Sequence, residues 1–213
     1  MAFVDKKTVY NRGSIPYPTH IMTPSYAQEF ETVDSVINSN AETRGVDAFA
    51  LSLIKAERQI RKLVTHLIYQ FPGFGPGDIQ NLRETLIRNR SVYFEGFEKG
   101  FSVLYPRSIS DLVGGEYQRL RGRIDEAIDY RNKIFHGQLT SNNLTRDDLL
   151  AYVDDIRTWC KTLAESALAE VGYDGFGRNS FQKSTIPDLA KRFEAQIATV
   201  ADYADFVRQH MQR

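Results

Sequence analysis

The chain is short of cysteine, of long apolar runs, of clustered metal ligands and of net charge, and each shortage removes a class of protein. Its single cysteine, Cys160, cannot form an intrachain disulfide, which fits a reducing compartment such as the cytoplasm. Cys160 also falls inside a helical apolar pattern, so it reads as an inert core residue. No stretch approaches the ~18 consecutive apolar residues of a membrane span. The N-terminus, with Asp5 and no apolar run after Lys6 and Lys7, does not read as a secretion signal. The histidines His20, His66, His136 and His210 are scattered, with no paired-His or paired-Cys spacing, so neither a metal nor a cofactor is expected. Gly73-Phe74-Gly75-Pro76-Gly77 lacks the Lys-Ser/Thr of a phosphate loop and reads as a helix breaker. With 27 basic and 27 acidic residues the net charge is zero. No global field draws the chain toward nucleic acid or membrane, and any polyanion site must be local.

What is present is helical periodicity. After an arm over residues 1–25, punctuated by Pro16, Pro18 and Pro24, the spacing predicts a short helix from Tyr26 to Ile37. A long helix follows, with Phe49, Leu53, Ala56, Ile60, Leu63, Val64, Leu67 and Phe71 at threes and fours, and Pro72 stops it. Asp78 and Ser91 offer caps for two shorter helices, one with Ile79, Leu82 and Leu86, the other with Phe94, Phe97 and Phe101. A long helix runs from Gly115 to about His136, where Gly137 suits a left-handed end. Thr145 with Asp148 reads as a capping box opening a helix that ends near Gly172. A final helix is expected from Pro187 through Leu189, Phe193, Ile197 and Val200 to Met211. No segment alternates as a strand. The expectation is an all-α fold, an antiparallel helical bundle with an extended N-terminal arm and an additional C-terminal helix. Residues 26–213 form one domain, with its core over about 45–172 and the last helix over about 187–211.

One residue breaks the pattern. Counted at about 100° per residue, Tyr117, Leu120, Ile124, Ile128, Arg131 and Phe135 fall within about 40° of one direction. A guanidinium in that face needs partners for its donors. Glu57, at the edge of the apolar face of the long helix before Pro72, is the candidate partner. Asn132 and His136, four residues apart, share an adjacent stripe. A cation, an amide and an imidazole therefore meet beside a hydrophobic seam.

The run Arg131-Asn132-Lys133-Ile134-Phe135-His136 resembles the signature of the HEPN superfamily, small helical-bundle proteins of which many are metal-independent endoribonucleases in toxin, antiviral and RNA-processing systems. Family members place the arginine and histidine near the end of a long bundle helix, often with Asn or Asp directly after the arginine. The resemblance implies a homodimeric endoribonuclease whose composite active site joins two sets of Arg131, Asn132 and His136. Such an enzyme cleaves RNA to a 2′,3′-cyclic phosphate, in a toxin or phage-defence setting with an antitoxin or other regulatory partner. Relatives without catalysis imply the alternative, a dimer that binds RNA, nucleotide or protein. Relatives paired with nucleotidyltransferase antitoxins carry tyrosine two residues after the histidine. Gln138 stands there, so regulation through that tyrosine is not implied.

The chemistry suits the residue types. Attack of a ribose 2′-OH on its own phosphate needs a base, an acid and a cation on the phosphoryl oxygens. Imidazole serves either proton role near neutrality, and a guanidinium pairs its donors with the developing dianion. Lys133 is a candidate phosphate contact, and Arg119 and Arg123 could extend a basic track along the same helix. The loop Gly172–Thr185, with Phe176, Arg178 and Lys183, could stack on single-stranded RNA but reads first as a mobile surface loop.

Overall fold

The Asp148 amide donates to the Thr145 hydroxyl at 3.2 Å, and the Asp148 carboxylate takes the Thr145 N–H at 2.9 Å. This reciprocal cap starts the helix Arg146–Val171. The Thr145 hydroxyl and amide hold the Asp148 carboxyl below the ordinary aspartate range. Gly172 ends the helix at φ 73°, a conformation that favours glycine. The computed structural model describes residues 26–89, 91–137, 144–177 and 179–212; the expected arm over 1–25, Gln138 and Arg178 lie outside the described residues.

In chain order the helices are α1 (Tyr26–Ile37), α2 (Arg44–Gln70), α3 (Ile79–Arg88), α4 (Phe94–Leu104), α5 (Ile109–Val113), α6 (Tyr117–Phe135), α7 (Arg146–Val171) and α8 (Val200–Phe206). There is no strand among the described residues, only an isolated bridge between Val92 and Gln212. The architecture is an all-α bundle. Helix α5 escapes a periodicity reading because it has five residues; its signal is the Ser108 and Asp111 capping box. Asp78 does not cap α3 with its side chain; its carboxylate accepts the Gly75 N–H at 2.9 Å, bracing a 3-10 turn over Pro76–Asp78. Nor does Ser91 cap α4, whose N-cap is Tyr93.

Cross-helix pairs fix the directions. Phe49 meets Tyr152, Gln59 donates to the Cys160 carbonyl and His66 faces the Val171 carbonyl, so α2 and α7 run the same way. Phe94 on Trp159 and Tyr105 on Glu170 give α4 that direction too. Tyr117 on Trp159 and Tyr130 on Tyr152 make α6 run opposite to α7. The antiparallel expectation therefore holds for the α6–α7 hairpin, while α2, α4 and α7 lie parallel. The connection through α3 returns the chain to the end where α2 began, and α6 does the same between α4 and α7. Trp159, wholly buried, is the ring around which α4, α6 and α7 close. Cys160 is buried beside it, and burial pushes its thiol far up, consistent with an inert core sulfur.

The expected helix from Pro187 to Met211 is absent over its first half. Leu189–Arg192 forms a 3-10 turn, the chain then runs irregularly, and α8 begins at Val200 and continues as a π turn over Val207–Met211. The Thr199 and Asp202 capping box sets that start. Phe193 is buried against Phe71 and Tyr105, and the Glu194 N–H donates to Leu104. Apolar residues at four-residue spacing here serve a strap across the bundle, not a helix face. The strap's end lies on α4, where a Cβ added at Gly96 would stand 1.9 Å from the Met211 carbonyl oxygen. Alanine would gain about 1 kcal/mol of helix propensity, but no rotamer relieves a clash with backbone. Gly96→Ala is therefore expected to destabilise the protein by about 1–3 kcal/mol, lowering the thermal midpoint by about 2–4 °C for each kcal/mol, as read by calorimetry.

The segment after α7 is also fixed, by a polar row on α2. Gln59 donates to the Asp174 carbonyl, Lys62 to that of Phe176 and Gln70 to that of Gln182, and the Gln70 side-chain Oε1 accepts the Ser184 N–H. Phe176 is 1% exposed, packed edge-on against Tyr26 and Phe30. Lys183 donates to the Tyr69 and Phe71 carbonyls at the end of α2, and burial lowers its ammonium from the usual lysine range. Neither Phe176 nor Lys183 is free for RNA, and the expected mobile loop is a clamped one.

Candidate functional site

Helix α6 buries Leu120, Ile124 and Ala127 completely. Arg131, one turn beyond Ala127, is half-buried with 19% of its side chain exposed, and its Nη1 donates to Glu57 Oε1 at 2.7 Å. The pair expected from the two helices is present. Asn132 Oδ1 accepts from Arg131 Nε at 3.3 Å and Nη2 at 3.2 Å. Glu57, Arg131 and Asn132 thus form one polar chain across the gap between α2 and α6, with most of the guanidinium donors engaged.

Phe135, expected on the buried face, is 63% exposed. The buried direction is centred near Leu120 and Ala127, and Phe135 lies about 80° from Ala127 on an ideal helix, toward the side that holds half-buried Ile128. His136 is the C-cap of α6, exposed, its N–H donating to the Asn132 carbonyl at 3.1 Å, and Gly137 follows at φ 64°. Five residues separate Arg131 and His136, about 7.5 Å of rise and 140° of turn. Asn132, at 100° from Arg131, shares the stripe of His136. Within one chain the guanidinium therefore faces Glu57 while the imidazole stands further round, at the solvent end of the same wall.

A groove of about 520 Å³ is lined from α6 as far as Arg131 and Asn132, with Tyr93 and Phe94 also on its wall. Glu57, Glu95, Asp125 and Asp129 also line it, against Arg121 and Arg131. Arg121 is itself held by Glu98 at 2.6 Å and by Asp125. Burial raises the Glu98 carboxyl above the usual glutamate range, with Arg121 opposing it only in part. Close to Arg131 the groove therefore carries more carboxylates than cations.

The basic track expected on α6 does not reach the groove. Arg119 pairs with Glu116 and Asp155, and Arg123 with Asp155 and Glu126, its guanidinium 3.5 Å over the Tyr152 ring. Burial alone would raise the Asp155 carboxyl, but hydrogen bonds from Arg119 and Arg123 outweigh it and hold it below the ordinary range. Both arginines lie about 80–120° from Arg131 on the α7 side of the helix. They bind α6 to α7. Lys133, about 160° from Arg131, is likewise turned away from the groove.

Tyr93, 54% exposed at the start of α4, and the α2 residues Arg58 and Arg61 were missed by sequence reasoning. The signal was present in Lys55-Ala-Glu-Arg58-Gln-Ile-Arg61-Lys62, whose cations fall at helical spacing on a strongly apolar helix. No protein-family model, no curated protein and no solved structure matches this chain.

Proposed function

We propose that the protein is a metal-independent endoribonuclease of the HEPN type, acting as a homodimer that joins two copies of Arg131, Asn132 and His136. The observation that carries this reading is the arrangement at the end of α6: a guanidinium oriented by Glu57 and Asn132, and an exposed imidazole on the Asn132 stripe. One protomer offers a single imidazole. Exposed apolar side chains accompany the site: Phe135, next to His136 in sequence, is 63% exposed, and Tyr93 at 54% and Ile54 at 48% line a hollow that shares Glu57 with the Arg131 groove; together they form an apolar collar. A second copy packed isologously on this collar covers it and brings a second imidazole to the cleft.

In the reaction one His136 takes the 2′-OH proton as the 2′ oxygen bonds to phosphorus. The partner's His136, protonated, gives a proton to the departing 5′ oxygen as the P–O5′ bond breaks. The products are a 2′,3′-cyclic phosphate and a 5′-hydroxyl, with no water consumed. Arg131 supplies paired donors to the phosphoryl oxygens, exchanging part of its contact with Glu57 for the anion. Cleavage of total RNA in EDTA, with no cleavage of all-DNA substrate and with 2′,3′-cyclic phosphate ends, is the expected result. Metal-dependent cutting, or 5′-phosphate ends, would reject the mechanism.

The carboxylate surplus near Arg131 favours a second reading, a dimer of the same fold that binds RNA, a nucleotide or a protein without chemistry. Binding that depends on Arg131, with no turnover across several RNA classes, would select it.

A further inference from the structure

Helix α2 carries a continuous stripe, exposed or half-buried over Ile54, Glu57, Arg58, Arg61 and Lys62 and ending at buried Thr65, at spacings of three and one. It spans about 16 Å. Three concavities open along it in sequence. The groove at Arg131 shares Glu57 and Tyr93 with a neighbouring hollow of about 310 Å³ beside Arg58 and Arg61. That hollow shares Arg61 with a third, of about 270 Å³, lined by Lys62, Arg83, Ile87 and Phe181.

The charge changes along the path. Carboxylates accompany the first groove, and Glu29 stands 3.7 Å from Arg58. Among the described residues no carboxylate lines the third hollow, and three cations do. Arg83 lies 5.1 Å over the Phe181 ring, and Lys62 donates to the Phe176 carbonyl. Burial, and then Arg58, lower the Lys62 ammonium from the usual lysine range, and Glu29 and Asp174 do not offset them. A site of this kind attracts anions, and its extension along one helix suits a chain of them better than a single one. Exposed Tyr93, where the first two hollows meet, offers a ring on which a base can stack.

Resting on the nuclease reading, we propose that a single-stranded RNA substrate runs from the Arg131 groove along α2, past Tyr93, with its phosphates on Arg58, Arg61 and Arg83. The track lies on α2 and α3, where α6 offers none. Arg61 and Arg83 are exposed, so their replacement by glutamine leaves the fold intact.

The test uses full-length His136→Ala protein, which does not consume its ligand, and a short fluorescent single-stranded RNA titrated by anisotropy over a range of salt. The double variant Arg61→Gln, Arg83→Gln is expected to bind roughly tenfold or more weakly. Its log affinity against log salt should flatten by about 0.7 for each phosphate that is no longer neutralised. Arg119→Gln with Arg123→Gln, the control, should leave both unchanged. Unchanged affinity and slope in the α2/α3 variant, while the wild-type protein cleaves RNA, would remove the track and leave the nuclease reading standing. Reduced affinity and slope with no cleavage by the wild type would do the reverse. Absence of RNA binding, or displacement of the RNA by an equimolar mononucleotide, would overturn the track by itself.

Discussion

Replacing His136 by alanine is expected to lower RNA cleavage by about 10²–10⁴-fold, the usual contribution of a positioned proton-transfer group, with the thermal midpoint unchanged. The stability half of this expectation follows from the exposed position of His136 beyond the last turn of α6, where substitutions usually stay within about 0.5 kcal/mol. Arg131→Ala should match the loss in rate, since it removes the paired donors to phosphate. Glu57, 32% exposed, is then left hydrated and not stranded. Arg131→Lys keeps the charge but not the fork, and should recover little. Under the proposed mechanism, with α6 turning the two side chains about 140° apart, a working site would take groups from both protomers. Mixed dimers of wild-type protein with His136→Ala, which keep both guanidinium groups but one imidazole, are therefore expected to lose cleavage as well, since one imidazole cannot be base and acid in the same step. Cleavage by His136→Ala at the wild-type rate would end the assignment.

How much of this was legible depends on which force set each feature. Helices α1, α2, α6 and α7 were readable because one buried face per helix leaves a 3.6-residue imprint, and because Thr145, Asp148, Gly137 and Gly172 act locally. The pairing of Arg131 with Glu57 was readable for the same reason, as a charge within each of two apolar stripes. The C-terminal strap was not. Phe193 and Ile197 repeat at helical spacing but are buried by separate neighbours, and nothing local distinguishes the two cases before the Thr199 cap. The partners of Arg119 and Arg123 were equally hidden, since Asp155 becomes their neighbour only when α6 folds back on α7. A row of arginines on one helix says how much charge is there; the packing of the next helix says whether it is spent.

The polar row on α2 was illegible too, and it predicts the largest stability effect in the molecule. Phe176→Ala is expected to cost about 3–5 kcal/mol, more than a surface loop of that composition suggests. The ring is 1% exposed between Tyr26 and Phe30, and its own amide is held by Asp174 at 2.8 Å. Gly175 before it has φ 83°, and a Cβ there would stand 2.6 Å from the Gln59 side chain, so the backbone is seated directly on α2. Removing the ring opens a cavity that the clamped chain cannot collapse into without breaking the bonds from Gln59 and Lys62. Partial release of the segment after α7 is then the cheaper response. It exposes residues around 174–183 to protease before global unfolding and returns the Lys62 ammonium to water. Denaturant unfolding together with limited proteolysis reads both consequences. A cost below about 1 kcal/mol, with residues around 174–183 still protected, would mean that the Phe176 ring adds little to what the polar row on α2 already holds in place.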